Sequence, residues 1–209
     1  IKVWFLSAEV APFAKTGGLG DVAGALPKAL AKLGVDVRIC LPLYGLIDRR
    51  AYQIKPLKTT AIVNWSTGAE KIRIYQTRLP GSQVPVYLLD HLFLNTATIY
   101  LQPNDPDDKP NRKIDDVRKF SFFTKAALAA AEALKFQPEI IHCHDWHTAL
   151  VQHLLHQWPS DFYEVSRVVY TIHNLANQGW AGHNIVRWAG LKNWQGDLNF
   201  MAEGIKTAD

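Results

Sequence analysis

Within its first 42 residues the chain sets two short apolar runs on either side of an amphipathic helix pattern, an order that few folds accept. Lys2-Val-Trp-Phe-Leu-Ser7 is apolar but too short for a helix. A glycine-rich loop follows, and then Val22, Ala23, Leu26, Leu30 and Leu33 recur at helical spacing. The second run, Val35 to Leu41, ends at Pro42 and reads as a strand buried on both faces. Gly34 supplies a helix stop, whereas Pro27 is expected to remove a hydrogen bond or bend the axis. Strand, helix and strand in this order form a βαβ unit with a right-handed crossover.

The alternation continues along the chain. Asp115 or Asp116 is placed to cap a helix that reaches about Leu134, with Phe120, Phe123, Ala127 and Leu134 on one stripe. A strand at Glu139 to Cys143, a helix from about Thr148 to Gln157 and a strand at Arg167 to Ile172 follow, and then a glycine-punctuated loop through Gly182. Between the two halves, Ala61 to Trp65 and Lys71 to Leu79 alternate around Ser66-Thr67-Gly68 as a hairpin would, and Val84 to Leu89 returns to a buried pattern. Asn104 to Asn111 reads as a polar loop. The expectation is an α/β fold, doubly wound, with a mainly parallel sheet in one domain spanning residues 1–209. Ligands of such sheets bind beyond the carboxyl ends of the strands, so the loops after Ser7, Cys143 and Ile172 should share one rim.

Composition narrows the function. The chain has 209 residues, 48% hydrophobic and 20% charged, which suits a single globular core without coiled coil or repeats. Its formal charge of +4 is spread along the chain, so no nucleic-acid footprint is expected, while a mildly basic cleft would suit an anionic small molecule. Cys40 and Cys143 sit in apolar strand runs and read as buried free thiols of a reducing compartment, a bacterial cytoplasm or a plastid stroma. No apolar stretch approaches a membrane span, and the chain enters a strand without a signal or transit sequence. Its abrupt stop after Met201 to Asp209 reads as a fragment of a longer protein.

Gly18-Leu-Gly-Asp-Val-Ala23 matches the glycine fingerprint of dinucleotide-binding folds, where the backbone approaches a pyrophosphate at a helix N-terminus. Two details count against a nicotinamide or flavin. Ten residues separate Ser7 from Gly18, and the second strand ends in Pro42 without an acidic ribose ligand. A phosphate-facing loop remains, with Gly17, Gly18 and Gly20 admitting an anion to the amides and Lys15 as a nearby charge; the bland alternative is a tight structural turn.

His142-Cys-His-Asp-Trp-His147 resembles a metal site but lacks the spaced second ligand group of structural zinc, so no metal is expected. His142 and His144 should share a strand face, with His142 a hydrogen-bonded core imidazole. Asp145 and Trp146 fall at the strand's carboxyl end, where ligands bind. The Asp145 carboxylate could accept sugar hydroxyls or stabilise positive charge at an anomeric carbon, and it could equally cap the following helix. His173 to Gly179 is a polar loop suited to a sugar ring, beside which Tyr100 and Trp180 could stack or merely pack.

These segments carry a resemblance. Lys15-Thr-Gly-Gly-Leu-Gly-Asp21, Ala25-Leu-Pro27, His144-Asp-Trp-His147 and Thr171-Ile-His-Asn174 through Gln178-Gly179 resemble, in order, motifs of the glycogen and starch synthases, glycosyltransferase family 5. The likeness runs from Ser7-Ala-Glu9 to Lys206-Thr-Ala-Asp209. It implies the Rossmann-like, acceptor-side N-terminal half of a GT-B glycosyltransferase, with the C-terminal donor domain absent from the chain. It also implies retaining transfer of glucose from ADP-glucose, with UDP-glucose as the second choice, to the non-reducing 4-hydroxyl of an α-1,4-glucan or malto-oligosaccharide, without metal or cofactor. By this resemblance Asp145, His173 and Asn174 line the transfer pocket as catalytic residues. Lys15, Gly17 and Gly18 face the donor, and Asp21, Trp146 and Gln178 join them in binding substrate. The family's cationic donor residues lie in the other half, so this chain alone is expected to be inactive. Asn177 stands where many members have tyrosine, and Tyr100 to Asn111 departs from the family's text. Two rivals stand beside this reading: a glucan-binding or regulatory module that has lost transfer, and a nicotinamide-dependent oxidoreductase, which the displaced fingerprint disfavours.

Overall fold

The computed structural model describes residues 1–66, 68–101, 115–182, 191 and 196–209. The polar loop expected at Asn104 to Asn111 falls outside them. The first βαβ unit is β1 (Lys2–Leu6), α1 (Gly18–Lys32) and β2 (Asp36–Pro42). Next come β3 (Lys55–Trp65), β4 (Gly68–Arg78) and β5 (Pro85–Asp90). The second half holds α2 (Asp116–Ala133), β6 (Ile140–His144), α3 (Val151–Gln157) and β7 (Arg167–Thr171), and then β8 (Trp180–Ala181), β9 (Leu198–Asn199) and α4 (Phe200–Thr207).

Seven strands form one sheet in the order β3-β4-β5-β2-β1-β6-β7. The five from β5 to β7 are parallel, and the expected hairpin adds β3 and β4 antiparallel at one edge. Winding runs from β1 through β2 to β5, then crosses back to β6 and β7, so the order reverses between β1 and β6. That switch point is where the expected rim opens.

Alternation along β1 divides the interior. Trp4 and Leu6 point into a core with Phe120, Phe123 and Ala127 of α2, while Val3 and Phe5 point to the other face beneath Ala23, Leu26 and Leu30 of α1. Helices therefore cover both faces, as double winding requires. The Trp4 indole N–H donates to the Ala127 carbonyl at 3.0 Å, which satisfies the one polar atom it carries inside. Cys40 and Cys143 flank Leu6 in register as free, buried thiols whose pKa values burial pushes up. No helix among the described residues is long and apolar enough to cross a membrane.

Helix ends follow local chemistry. Asp115 accepts from the Arg118 amide at 2.8 Å, so it is the cap of α2 and Asp116 is released for other work. Past α1, Gly34 takes φ +82, its amide donates to the Ala31 carbonyl, and the Val35 amide reaches back to the Leu30 carbonyl. The helix continues through Pro27, which is buried. The helix expected from Thr148 instead starts as a short 3-10 turn at Trp146–Thr148 and becomes α-helical at Val151. The loop expected through Gly182 contains β8, which pairs with β9.

Packing of α1 on the loop after β1 leaves no room at Gly24, where a Cβ would stand 2.7 Å from the Ala11 carbonyl oxygen. Gly24→Ala should therefore lower the urea midpoint by about 1–3 kcal/mol equivalent despite a helix-propensity gain of about 1 kcal/mol. An unchanged midpoint would mean that the loop yields freely.

Candidate active site

Beyond the carboxyl ends of β1, β6 and β7 lies a cavity of about 850 Å³. Glu9 and the glycine loop form one wall, Asp145, Trp146 and His147 the floor, and residues 173–174 and 176–180 the opposite wall. The three loops predicted to share a rim thus surround one space.

The glycine wall is held from below by a carboxylate. Glu9 accepts hydrogen bonds from the Thr16 amide (2.7 Å), the Thr16 hydroxyl (2.8 Å), the Gly17 amide (3.0 Å) and the Tyr100 hydroxyl (2.7 Å). Burial opposes its ionisation, but these donors outweigh burial and hold the carboxyl below its ordinary range. Gly17 is the N-cap of α1, extended and without a side-chain cap, so the helix N-terminus faces the cavity through Gly17, Gly18 and Leu19. Gly20 is sterically required: a Cβ there would lie 2.8 Å from Lys15 Cγ and 3.2 Å from Glu9 Oε2. Lys15 and Asp21 pair with each other at 2.8 Å, with side chains 44% and 62% exposed, on the outer side of the loop and not among the residues lining the cavity.

Asp145 stands on the floor with φ +54 and ψ −178, a backbone region that non-glycine residues occupy only when their surroundings enforce it. Its carboxylate does not cap the following turn. It accepts instead from the His173 amide at 2.6 Å and more weakly from the Asn174 amide at 3.4 Å. Burial raises its pKa, and those two amides only partly offset the rise. The contact ties the ends of β6 and β7 together and orients a charge toward the cavity.

Beneath it, His142 and His144 share a strand face with ring centroids 4.2 Å apart. His142 bonds the Thr171 hydroxyl at 2.8 Å, and His144 Nδ1 and His173 Nε2 share a hydrogen bond at 2.9 Å. Burial drives His142 down to about 4 and His147 to about 3, and depresses His144 as well. The imidazoles under the site are therefore neutral at ordinary pH. Among the described residues no group of three or more His, Cys, Asp or Glu is placed to hold a metal ion.

Other expected residues divide between recognition and framework. Trp146 packs edge-on to Phe120, with centroids 5.3 Å apart, and against Gly179, whose φ of +68 and lack of Cβ let the indole approach. Asn174 uses its side-chain oxygen on the Ala176 amide, shaping the loop. Gln178 accepts from the Asn199 amide group and donates to the Leu175 carbonyl, bracing the wall against the start of α4. Trp180, 66% exposed, is available at the mouth, whereas Tyr100 spends its hydroxyl on Glu9. The role of Glu9 was missed by sequence reasoning beyond its place in a motif. Its signal was a carboxylate in the apolar stretch Ala8 to Ala14 directly before a glycine loop, since such a group must find donors.

The starch synthase catalytic domain family matches residues 2–209. This chain belongs to that family. Its whole length aligns at 38% identity with glycogen synthase 1 of Synechocystis sp. and with glycogen synthase of Moorella thermoacetica, covering 39% and 42% of those proteins. Glycogen synthase of Geotalea uraniireducens is 35% identical and 44% covered. The chain thus spans less than half the length of the relatives it matches. In structure, 99% of it superposes on 43% of the catalytic domain of starch synthase IV from Arabidopsis thaliana bound to ADP and acarbose, with a TM-score of 0.85 and 28% identity. Family membership and the mainly parallel sheet agree with the resemblance read from the motifs.

The neutral imidazoles have a pH consequence. Their pKa values are lower in the fold than the ordinary value near 6.5, so the unfolded chain binds protons first as pH falls. Stability should drop from about pH 6.5 toward about pH 4, each histidine adding at most about 1.4 kcal/mol per pH unit. His142→Gln should flatten this decline in urea titrations at pH 7 and pH 5. Parallel losses in the wild type and the variant would assign the decline elsewhere.

Proposed function

We propose that the protein is a retaining glucosyltransferase that moves glucose from ADP-glucose to the non-reducing 4-hydroxyl of an α-1,4-glucan, with UDP-glucose as a weaker donor. This chain supplies the acceptor-side domain of that enzyme, and a second Rossmann-like domain supplies most of the donor site. The observation that carries the reading is the placement of an uncapped, glycine-edged helix N-terminus opposite a fixed carboxylate across one cavity. The first suits the diphosphate of a nucleotide sugar, and the second suits the sugar carbon from which it departs. The ADP and acarbose bound by the starch synthase IV domain support the same pairing of a nucleotide with an α-glucan-like ligand.

In this reading the amides at Gly18 and Leu19 receive the negative charge that grows on the leaving diphosphate, while the Gly17 amide stays bound to Glu9, with Lys15 as a cation at the loop's outer edge and Asp21 setting its position. As the anomeric C–O bond breaks, positive charge develops on the glucose ring. Asp145, ionised and pinned by the His173 and Asn174 amides, stabilises it without reorienting. The acceptor 4-hydroxyl enters from the face the diphosphate leaves, which retains the α configuration, and its proton passes to that diphosphate. His173, kept in place by His144, faces the sugar hydroxyls, and Asn174, whose side-chain oxygen is held by the Ala176 amide, shapes the loop and has only its NH2 group to offer. Trp146 forms the floor, Trp180 offers a stacking surface for glucan, and Gln178 keeps the wall upright. Closure by the second domain excludes water, so this chain alone is inactive.

In the full-length protein, Asp145→Asn should reduce chain extension of a malto-oligosaccharide from ADP-glucose by about 10²–10³-fold, because the amide can still accept from both backbone N–H groups but carries no charge. Its melting temperature should stay near that of the wild type. Near-normal turnover would remove Asp145 from the mechanism, and transfer from neither nucleotide sugar by the wild type would remove the mechanism altogether.

A further inference from the structure

One ammonium group lies wholly inside the domain. The side chain of Lys119, on the first turns of α2, is 0% exposed. A charge so placed is tolerated only where partners replace its water. Its Nζ lies 2.7 Å from Asp116 Oδ1, donates to the Ile99 carbonyl at 2.6 Å and sits 4.8 Å from the centre of the Phe120 ring. Asp116 in turn accepts from the Leu101 amide with both oxygens, at 3.1 and 3.2 Å. The start of α2 thus grips the chain on both sides of Tyr100, through the carbonyl before it and the amide after it.

Tyr100 is the piece so fixed. Its hydroxyl donates to Glu9, and Glu9 receives the Thr16 and Gly17 amides that set the entrance to α1. Burial and the Glu9 carboxylate both raise the Tyr100 pKa, so the phenol stays protonated and remains a donor. A continuous path of hydrogen bonds and chain therefore joins Lys119 to the N-terminus of α1, although Lys119 itself does not line the cavity.

We propose that Lys119 is a positioning residue that couples the strap at residues 99–101 to the N-terminus of α1, so that the amides facing an anion are set by a buried ion pair that does not line the cavity through its lysine. The functional half of this proposal rests on the donor-facing reading of that helix; the coupling itself does not. A lysine that only filled space would contribute to overall stability, and its loss would leave the glycine loop and the donor KM as they are.

The test uses the full-length protein with Lys119→Met, Lys119→Arg and Tyr100→Phe, reading amide hydrogen exchange at Thr16 and Gly17 together with the KM for ADP-glucose. Lys119→Met and Tyr100→Phe should each speed exchange at both amides by about fivefold, the loss expected for one hydrogen bond, with core strand amides such as Ile39 unchanged. Lys119→Met should raise the donor KM by about the same factor while kcat moves less than about twofold. Lys119→Arg, which keeps a cation on Asp116, should stay near the wild type. Unchanged Thr16 and Gly17 exchange in Tyr100→Phe and Lys119→Met overturns the coupling, as does Lys119→Arg behaving like Lys119→Met. Should Lys119→Met fail to fold, Tyr100→Phe decides the matter, since it removes one oxygen from a side chain whose ring packing is retained. If the wild type transfers no glucose, the donor reading falls, and the exchange measurement still decides the coupling.

Discussion

Four donors converge on the Glu9 carboxylate, and the shape of the site follows from that convergence. Two of them are the main-chain amides of Thr16 and Gly17, one is the Thr16 hydroxyl, and one is the Tyr100 hydroxyl, distant in sequence. A buried carboxylate without such donors would take up a proton or draw in water. Held as an anion, it fixes the direction in which α1 begins. Everything later in α1, including its fit over β1 and β2, starts from that fixed end.

The fold was legible because it rests on repeated local signals. Strand runs buried on both faces, helical stripes and the Gly34 stop each point to one arrangement without long-range information. Element ends were read less well. The helix after β6 begins three residues later than its periodicity suggests, because the strained backbone of Asp145 turns the chain first through a 3-10 turn. Pro27 removes one backbone donor, as expected, and the helix runs on through it. Sequence spacing reports which residues a helix contains, and tertiary packing decides whether a lost hydrogen bond matters.

The site was legible in outline and not in its division of labour. Asp145, His173 and the glycines do surround one cavity, since sheet topology fixes where strand ends meet. What spacing cannot reveal is how a polar side chain is engaged. Asn174 and Gln178 look like hydrogen-bonding partners for a sugar, but both side chains are already engaged with neighbouring backbone or with Asn199. Glu9 looks like one acidic residue among several, yet it organises a wall. The histidines invite thoughts of metal, although their depth makes them neutral supports. Burial, which no motif states, separates these cases.

The wall opposite the glycine loop is tethered at its far end to the last helix. The Phe200 and Met201 amides donate to the Gly179 and Gln178 carbonyls, and Asn199 meets Gln178 side chain to side chain. Residues 178–179 therefore cannot shift without α4, and α4 cannot tilt without them. Mechanically, the wall is one leaf of a hinge whose pin lies outside the cavity. A force applied to the exposed side of α4, around Ile205, would reach residues 178–179 through these bonds. The cavity wall is thus mechanically continuous with a surface outside the cavity.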